Sequence, residues 1–522
     1  MAQSHARYVT DSTSSSGGIG SGTAAPADRS VGVPTRPPVR GRLIWLPQQN
    51  VATWGALLLA LLYVADYLGY PALPGNNPQY PLGWWGWFDQ SKFLQSTQAL
   101  ARFDFSPTQH LYPFGYALLG APFARTMPEH PFFFVDLASL LIAYVGFISF
   151  ARRCGIGAHW SAILFILAGV ADPVLFAQWV IPWNTSPLAA LMWLLFATAA
   201  AHMQGERRPA CLGVLAAGVP MLRPTDVLIA GVPVLASLAA DVAKHRLRRR
   251  DVAIFLVAAL VPLAAYGALH LAVYGLRSSD YMRAAGAVGF TLHNFGLKAY
   301  LILVDPRAWI GGGEGLLRRC PWLILGFAGL LTALRRPVSA MLSVALVVHG
   351  LLYLSYIDLL PTGFWRYMNV HYWTFTFPGF ALLGFLLLRD LFEPRHRALA
   401  VGALIGVLML LCIRLDPVVA APDRPADALD LPAGPHDFNT IYFSDLHVTD
   451  ADGTLENVRQ VRAIPFGEGV RILALTRSLV GHITVDGDGM HVTTPVRLRA
   501  ALRWGIPFWP WSRADEFYGA RS

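Results

Sequence analysis

An aspartate, Asp89, stands beside a run of tryptophans in the segment from Leu82 to Leu94. Tryptophan is enriched at the boundary between a membrane and water, because its ring is apolar and its N–H group is polar. A carboxylate held at that depth can act as a general base that takes the proton from an attacking hydroxyl group. Aspartate also caps helices well, which is the structural alternative. Asp89 is therefore the leading candidate for a catalytic residue.

Other ionisable residues lie in or beside apolar segments, mostly at the same ends of those segments. A charge inside hydrocarbon costs several kcal/mol unless it faces water, a cavity or a partner. One polar cavity that opens on one side of a membrane would accommodate them, whereas helix ends near lipid headgroups also tolerate charge. The residues are Asp66, Asp172, Arg223, Asp226, Asp358 and Arg366.

The chain that must position these residues is strongly apolar. Of its 522 residues, 54% are hydrophobic and 14% are charged, which is unlike a soluble globular protein. Apolar stretches of roughly 20 residues, enough to cross a bilayer as a helix, recur along it. We predict eleven transmembrane helices, near 51–69, 130–151, 158–178, 184–203, 210–222, 225–241, 251–275, 321–334, 338–357, 373–392 and 398–415.

Clusters of basic residues recur at every second turn of this predicted bundle. Cytoplasmic loops carry an excess of Lys and Arg, so the clusters predict the inner side and a cytoplasmic amino terminus. With eleven spans, the carboxyl terminus is then outside. The clusters are Arg152 and Arg153, Arg207 and Arg208, Lys244 to Arg250, Arg335 and Arg336, and Arg395 to Arg397.

Three regions follow from the changes in composition. Residues 1–47 are rich in Ser, Gly, Pro and Arg and predict a disordered cytoplasmic arm. Residues 48–415 form the transmembrane domain, with a surface helix from about Asp89 to Phe103 in the first outer loop. Residues 416–522 contain short apolar runs and a hairpin pattern, and predict a small outside domain that is mostly β. The fold class is an all-α polytopic membrane protein with this extra domain.

Several classes of site are not supported. The net charge of +9 is explained by membrane topology, so we predict no nucleic-acid binding. The four cysteines are far apart, which predicts neither a disulfide nor a zinc site. His293, His349 and His371 lack partners at ligand spacing, and we assign them no role. The loop Gly311 to Gly315 lacks the Gly-Lys-Ser/Thr ending of a phosphate-binding loop.

The segment from Trp84 to Pro122 resembles the first loop of GT-C glycosyltransferases, the class of aminoarabinose transferases and protein O-mannosyltransferases. In that class an acidic residue follows the first span, and a surface helix and a Tyr-Pro segment come next, as Asp89 and Tyr112-Pro113 do here. The resemblance continues through Gly213 to Gly218 with Arg223 behind it, and returns at Phe364-Trp365-Arg366-Tyr367. It implies that Asp89 is the catalytic carboxylate and that the fold is GT-C-like.

The resemblance also implies the donor, a sugar carried on a polyprenyl phosphate. Arginine makes planar two-point contacts with phosphate oxygens, so we expect Arg366 and, behind it, Arg223 to bind the phosphate. Tyr112 and Tyr367 complete the expected substrate-binding set. Lys298 and Arg307 are weaker candidates, because long basic side chains often extend towards headgroups.

Asp104 and His110 flank the surface helix and are expected to bind acceptor hydroxyls. Many GT-C members have a second acidic residue next to the first or two positions away, where this chain has Gln90 and Ser91. The sequence therefore predicts no cofactor and no metal site, and a divalent metal is an alternative that no clear motif supports.

The expected function is an inverting transfer of a sugar to an acceptor hydroxyl on the outer face of a bacterial inner membrane. The expected partners are membrane lipids, the lipid-linked donor and a glycan, lipid or protein acceptor. A transporter, flippase or polymerase of lipid-linked glycans is the alternative. An ion-coupled transporter should place its ionisable groups near the middle of the bilayer. A receptor or scaffold whose outside tail binds partners is a third possibility.

Overall fold

The computed structural model describes residues 48–69, 85, 88–290, 292, 295–305, 314–356, 359, 363–366 and 368–420, and seven strands beyond them. The predicted arm, residues 1–47, lies outside the described residues. Eighteen helices are described. In chain order they are α1 (Gln48–Gly69), α2 (Phe88–Ala101), α3 (Phe114–Gly120), α4 (Phe133–Arg153), α5 (Ala158–Gly169), α6 (Pro173–Val180), α7 (Thr185–Met203), α8 (Pro209–Leu222), α9 (Val227–Ala243), α10 (Arg249–Tyr274), α11 (Asp280–Val288), α12 (Phe295–Leu303), α13 (Leu316–Arg319), α14 (Leu323–Ala333), α15 (Pro337–Ser355), α16 (Gly363–Arg366), α17 (Thr376–Phe392) and α18 (Pro394–Leu411).

Within the described residues, seven helices are long and apolar enough to cross a membrane by length and composition. An eighth span results if α5 and α6, which meet at an angle of 94°, are counted as one broken span. Ten of the eleven predicted spans each fall on one helix, and the span near 158–178 falls on the bent pair α5 and α6. The predicted count of eleven is therefore higher than the seven or eight spans found among the described residues. Three of those helices, α8, α14 and α17, have only 14, 11 and 17 residues. The chain is thus a helical, multi-pass bundle in which some helices stop short.

The basic clusters meet at one end of the bundle, here called the basic end. Arg153 pairs with Glu206 at 2.8 Å, which joins the first cluster to the second. Arg207 pairs with Asp251 and also donates to the backbone carbonyl of Arg246. Arg335 donates to His396 Nδ1 at 2.8 Å, and both Arg335 and Arg336 hold the buried carboxylate of Asp390. A shared end of this kind is what the positive-inside pattern requires.

Helix α8 ends well before its neighbour α10. Both begin at the basic end, and Gly213 of α8 lies directly against Phe255 and Ala258 of α10. From this contact α8 continues for nine residues and α10 for sixteen. At 1.5 Å per residue, Leu222 therefore lies roughly 10 Å deeper in the bundle than the end of α10. After Arg223 the chain forms a 3₁₀ turn, Pro224–Asp226, from which α9 returns to the basic end.

Glycines allow close contact between the helices of the second half. A Cβ atom on Gly329 of α14 would stand 2.4 Å from the Leu383 carbonyl oxygen of α17, and one on Gly326 would stand 2.8 Å from that of Phe380. These helices therefore pack backbone against backbone. Small residues at such contacts are typical of helix packing inside membranes.

Strands follow α18 in the carboxyl-terminal region. The strands are β1 (Ile413–Ala420), β2 (Leu429–Leu431), β3 (His447–Asp450), β4 (Leu455–Asn457), β5 (Gln460–Phe466), β6 (Gly469–Leu475), β7 (Val480–Ile483) and β8 (Val496–Trp504). They form a five-stranded sheet in the order β1-β8-β7-β3-β4 and a three-stranded sheet in the order β2-β6-β5. Of the short apolar runs in this region, Val470 to Leu475 lies in β6, whereas Thr440 to Phe443 lies outside the described residues. The hairpin pattern covers Gly481 to Val485 and Met490 to Thr493, and the second of these segments also lies outside the described residues.

We expect Gly329→Ala to lower the thermal unfolding midpoint in detergent, because its methyl group would overlap the backbone of α17. Overpacking of this kind costs about 1–3 kcal/mol. Gly402→Ala on α18 is the matched control, since no atom lies within 4 Å of the added Cβ. Equal midpoints for the two variants would contradict the close contact between α14 and α17.

Candidate functional site

Asp89 lies in the first turn of α2, as the sequence predicts. Its Oδ1 accepts a hydrogen bond of 2.5 Å from the hydroxyl of Tyr112, which precedes α3. Burial and the adjacent Asp89 carboxylate raise the pKa of Tyr112 far above its usual value. The phenol therefore remains a hydrogen-bond donor, and it fixes the position of the Asp89 carboxylate.

Aromatic rings connect this pair to the interior of the bundle. The ring of Tyr112 contacts Phe93 of α2 at 4.7 Å and Tyr281 of α11 at 5.2 Å between centroids. Tyr281 and Tyr372 lie close enough to interact electrostatically with both Tyr112 and Arg223. Asp89 and Arg223, which are far apart in the sequence, thus belong to one site.

Arg223 is buried just beyond the end of α8, with 6% of its surface exposed. Its guanidinium group lies over the ring of Tyr372 at 4.2 Å and near that of Tyr353 at 5.1 Å. Arg223 Nε is 3.7 Å from Asp226 Oδ2, and the hydroxyl of Tyr353 donates to Asp226 Oδ1. A buried charge requires such partners, because otherwise nothing offsets the free energy needed to remove it from water.

Several buried polar atoms around Arg223 have no hydrogen-bond partner among the described residues. They are Arg223 Nη1, His371 Nδ1, His349 Nδ1 and Trp183 Nε1. The ring of Trp183 lies 3.9 Å from that of His371. His371 and His349 are both close enough to Arg223 to interact with its charge. Arg223 Nη1 and Trp183 Nε1 are N–H donors, and buried donors normally have partners. His349 Nε2 donates to the Tyr372 carbonyl oxygen, so Nδ1 of a neutral His349 ring is an acceptor. The two unused donors, one of them on the buried cation, suit an anion such as a phosphate.

Asp104 and His110 have local structural partners. His110 is buried, its Nδ1 lies 2.8 Å from Ser96 Oγ, and its Nε2 donates to the Asp104 carbonyl oxygen. Burial lowers the pKa of His110, so the ring is neutral at pH 7. Asp104 Oδ1 accepts from Ser106 N, and hydrogen bonds from Ser106 lower the pKa of its carboxyl group. These contacts hold the loop after α2 in shape.

The other predicted residues are only partly placed. Arg366 is the last residue of α16, whereas Tyr367, Arg307 and Asp358 lie outside the described residues. Lys298 donates to the backbone carbonyl of Tyr356. Asp172 pairs with Arg319 rather than with the Arg223 group. No three His, Cys, Asp or Glu side chains in the described part of the chain are grouped as a metal site requires.

A second tyrosine–aspartate pair lies next to the first. Asp136 of α4 is fully buried, and its Oδ2 accepts a hydrogen bond of 2.8 Å from Tyr116. The ring of Phe93 packs on Tyr116 at 5.1 Å as well as on Tyr112. Asp136 stands in the first turn of its helix and therefore near the end of the bundle, not at its middle.

Sequence reasoning did not identify Tyr353, Tyr372, Tyr281 or His371. These residues come from α15, α11 and the 3₁₀ turn Asn369–Trp373, and no spacing in the sequence relates them to Arg223. The available signal was the density of tyrosine and histidine at the ends of apolar segments. That pattern is also expected for aromatic belts at membrane interfaces.

The chain matches no protein-family model and no curated protein. Among solved structures it is similar to ArnT from Cupriavidus metallidurans bound to undecaprenyl phosphate, with a TM-score of 0.41 and 15% identity over 70% of this chain and 63% of that chain. It is also similar to the apo oligosaccharyltransferase of Archaeoglobus fulgidus, with a TM-score of 0.36 and 12% identity over 70% of this chain and 54% of that chain. This chain therefore covers less than two thirds of the length of each of these two solved structures.

We expect Arg223→Met to lower the stability of the protein in detergent by roughly 3–5 kcal/mol, because it leaves Asp226 as a buried charge without a cation. The double variant Arg223→Met/Asp226→Leu should recover much of this loss. The four proteins form a double-mutant cycle that is read from thermal unfolding. Additive losses would mean that the two side chains do not form a pair.

Proposed function

We propose that this protein is a glycosyltransferase that moves a sugar from a polyprenyl-phosphate donor to an acceptor hydroxyl. The observation that carries the proposal is the meeting of a carboxylate, Asp89, and a buried cation, Arg223, around Tyr112, Tyr281 and Tyr372. The proposed reaction class comes from the segment Trp84 to Pro122, which resembles the first loop of GT-C enzymes. Fold alone does not decide function, so the argument rests on these side chains.

In the proposed reaction, the acceptor oxygen attacks the anomeric carbon of the donor sugar. Asp89 takes the hydroxyl proton as the new C–O bond forms, and the bond between the sugar and the phosphate breaks on the opposite face. The electron pair of that bond leaves with the polyprenyl phosphate, and the sugar carbon is inverted. Tyr112 keeps the Asp89 carboxylate oriented throughout, because its hydroxyl donates to Oδ1.

Arg223 is the proposed phosphate ligand. Its Nη1 group is buried without a partner among the described residues, and the guanidinium group lies against the rings of Tyr353 and Tyr372, which stack on each other. A fixed planar guanidinium loses little freedom on binding phosphate oxygens. Arg366 and Tyr367 are proposed as further ligands, since they immediately precede the segment that carries Tyr372. Asp104 and His110 shape the loop over the site on the acceptor side.

The site is proposed to face the outside of a bacterial inner membrane. The site lies at the end of the bundle away from the basic clusters, because α8 begins at the basic end and ends at Arg223. The positive-inside rule then puts the basic end and the amino terminus in the cytoplasm. Helix α18 runs from the basic cluster at Arg395 towards the other side, so the carboxyl-terminal strands are proposed to be periplasmic.

Asp89→Asn should abolish transfer of radiolabelled sugar from polyprenyl-phosphate donors by the purified protein. Loss of a general base typically costs 10²–10⁴-fold in rate, and the unfolding midpoint should not change. Glu206→Gln is the matched control, because Glu206 is an exposed carboxylate that pairs with Arg153 at the basic end. Full activity of the Asp89 variant would place the base elsewhere. If the wild type transfers no sugar but moves a lipid-linked glycan across vesicles, the protein is a transporter instead.

Single cysteines in a background without the native four should reveal the orientation. Thr108→Cys, in the exposed loop after α2, should react with a membrane-impermeant maleimide in intact spheroplasts. Arg395→Cys, exposed at the basic end, should react only after the membrane is opened. The reverse labelling pattern would place the site on the cytoplasmic side.

A further inference from the structure

The hydrogen bond from Tyr112 to Asp89 depends on the ring of Phe93. Phe93 follows Asp89 by four residues on α2, so the two side chains are neighbours on one face of that helix. Phe93 is buried, and its ring contacts that of Tyr112 at 4.7 Å between centroids. Tyr112 therefore meets α2 at two points, because Phe93 supports its ring and Asp89 accepts from its hydroxyl.

The ring of Phe93 is supported in turn by Tyr116 of α3. The two rings meet edge-on, with 5.1 Å between centroids and an angle of 89° between planes. Tyr116 is completely buried and is held at both ends. Its ring stacks on Phe132 at 4.0 Å, and its hydroxyl donates to Asp136 Oδ2 at 2.8 Å. Phe132 and Asp136 are one turn apart at the start of α4, so α4 determines where Tyr116 lies.

These contacts form a continuous connection between two carboxylates on different helices. Every step along it is either a hydrogen bond or a contact between two aromatic rings. In order, the residues are Asp136, Tyr116, Phe93, Tyr112 and Asp89. A shift at the Asp136 end would therefore be transmitted by packing to the Asp89 end, since closely packed side chains transmit strain.

Asp136 is a costly residue for this position. It is fully buried, and its Oδ1 has no hydrogen-bond partner among the described residues. Burial of a carboxyl group costs free energy, and an apolar pair of similar shape could join α3 to α4 without that cost. A hydrogen bond does what apolar packing cannot do, because it sets both a distance and a direction. The pair of Asp136 and Tyr116 therefore suits a place where one ring must stay in one position.

We propose that Asp136 is a positioning residue for Asp89. It acts through Tyr116, Phe93 and Tyr112, and the inference rests on the proposed function, in which Asp89 is the general base. Because Asp136 is fully buried, it is not placed to contact the donor or the acceptor. Its role is to keep the Asp89 carboxylate in one orientation, since a general base must lie within hydrogen-bond reach of the proton that it takes.

The double variant Asp136→Leu/Tyr116→Phe separates positioning from stability. It removes both partners of the hydrogen bond, so neither polar group is left buried alone and the unfolding midpoint should stay near that of the wild type. We expect kcat to fall about tenfold, less than the roughly 100-fold loss that a 1 Å misplacement can cause, because Phe93 still touches both rings. KM for the polyprenyl-phosphate donor should not change. A wild-type kcat in the double variant would overturn the inference.

Two single variants complete the kinetic test. Asp136→Asn keeps an oxygen that accepts from the Tyr116 hydroxyl, so it should retain the wild-type kcat. A loss in Asp136→Asn equal to that in the double variant would contradict a role through this hydrogen bond. Tyr63→Phe is the matched control, because Tyr63 is also completely buried and its hydroxyl donates to the Phe133 carbonyl oxygen of α4 at 3.0 Å. Its ring contacts are with Tyr67 and Phe133, and we expect wild-type kinetics.

Fluorine NMR tests the connection without a transfer assay. A fluorinated tyrosine incorporated in place of Tyr112 reports the surroundings of that ring in detergent-solubilised protein. We expect its resonance to shift in the double variant and to stay unchanged in Asp136→Asn and Tyr63→Phe. An unchanged resonance in the double variant would overturn the inference. A shifted resonance in a protein that transfers no sugar from any donor would refute the proposed function and leave the connection between the two pairs standing.

Discussion

Burial of the Arg223 charge inside an apolar bundle is the constraint that organises the site. A cation so far from water persists only with a counter-charge and polarisable neighbours, which here are Asp226 and the rings of Tyr353 and Tyr372. The early end of α8 makes this arrangement possible. Because the helix stops about 10 Å short of α10, its carbonyl groups need partners at depth, and Asn184 donates to the Leu222 carbonyl oxygen. The polar interior follows from that interrupted helix.

Because burial of a charge costs free energy, the charged groups at the two ends of the bundle need different surroundings. Basic residues at one end pair with Glu206, Asp251 and Asp390, and their long side chains remain partly exposed. At the other end, Asp89 and Arg223 lie among the aromatic rings of Tyr112, Tyr281 and Tyr372. Catalysis by a carboxylate and an arginine needs both groups to be fixed before substrate arrives. Hydrogen bonds from tyrosine hydroxyls provide this for Asp89 and for Asp226.

Close backbone contact holds these elements in register. Gly115 of α3 lies so near α8 that an added Cβ would be 2.4 Å from the Met221 carbonyl oxygen. That contact ties the segment that bears Tyr112 to the helix that ends at Arg223. Gly326 and Gly329 allow the same close contact between α14 and α17. The two halves of the proposed reaction, proton removal and phosphate binding, thus depend on helix packing that only glycine permits.

The sequence by itself determined the multi-pass membrane class, the positions of most helices and the shared end of the basic clusters, and it selected Asp89, Tyr112 and Arg223 as candidates for the proposed site. These follow from hydropathy, charge pattern and local spacing, which act over a few turns of the chain. It did not determine which helices stop short, nor that Tyr353, Tyr372 and Tyr281 surround Arg223, nor that Asp172 pairs with Arg319. Only the tertiary structure decided those points, because contacts between residues far apart in the sequence depend on how the helices pack against one another.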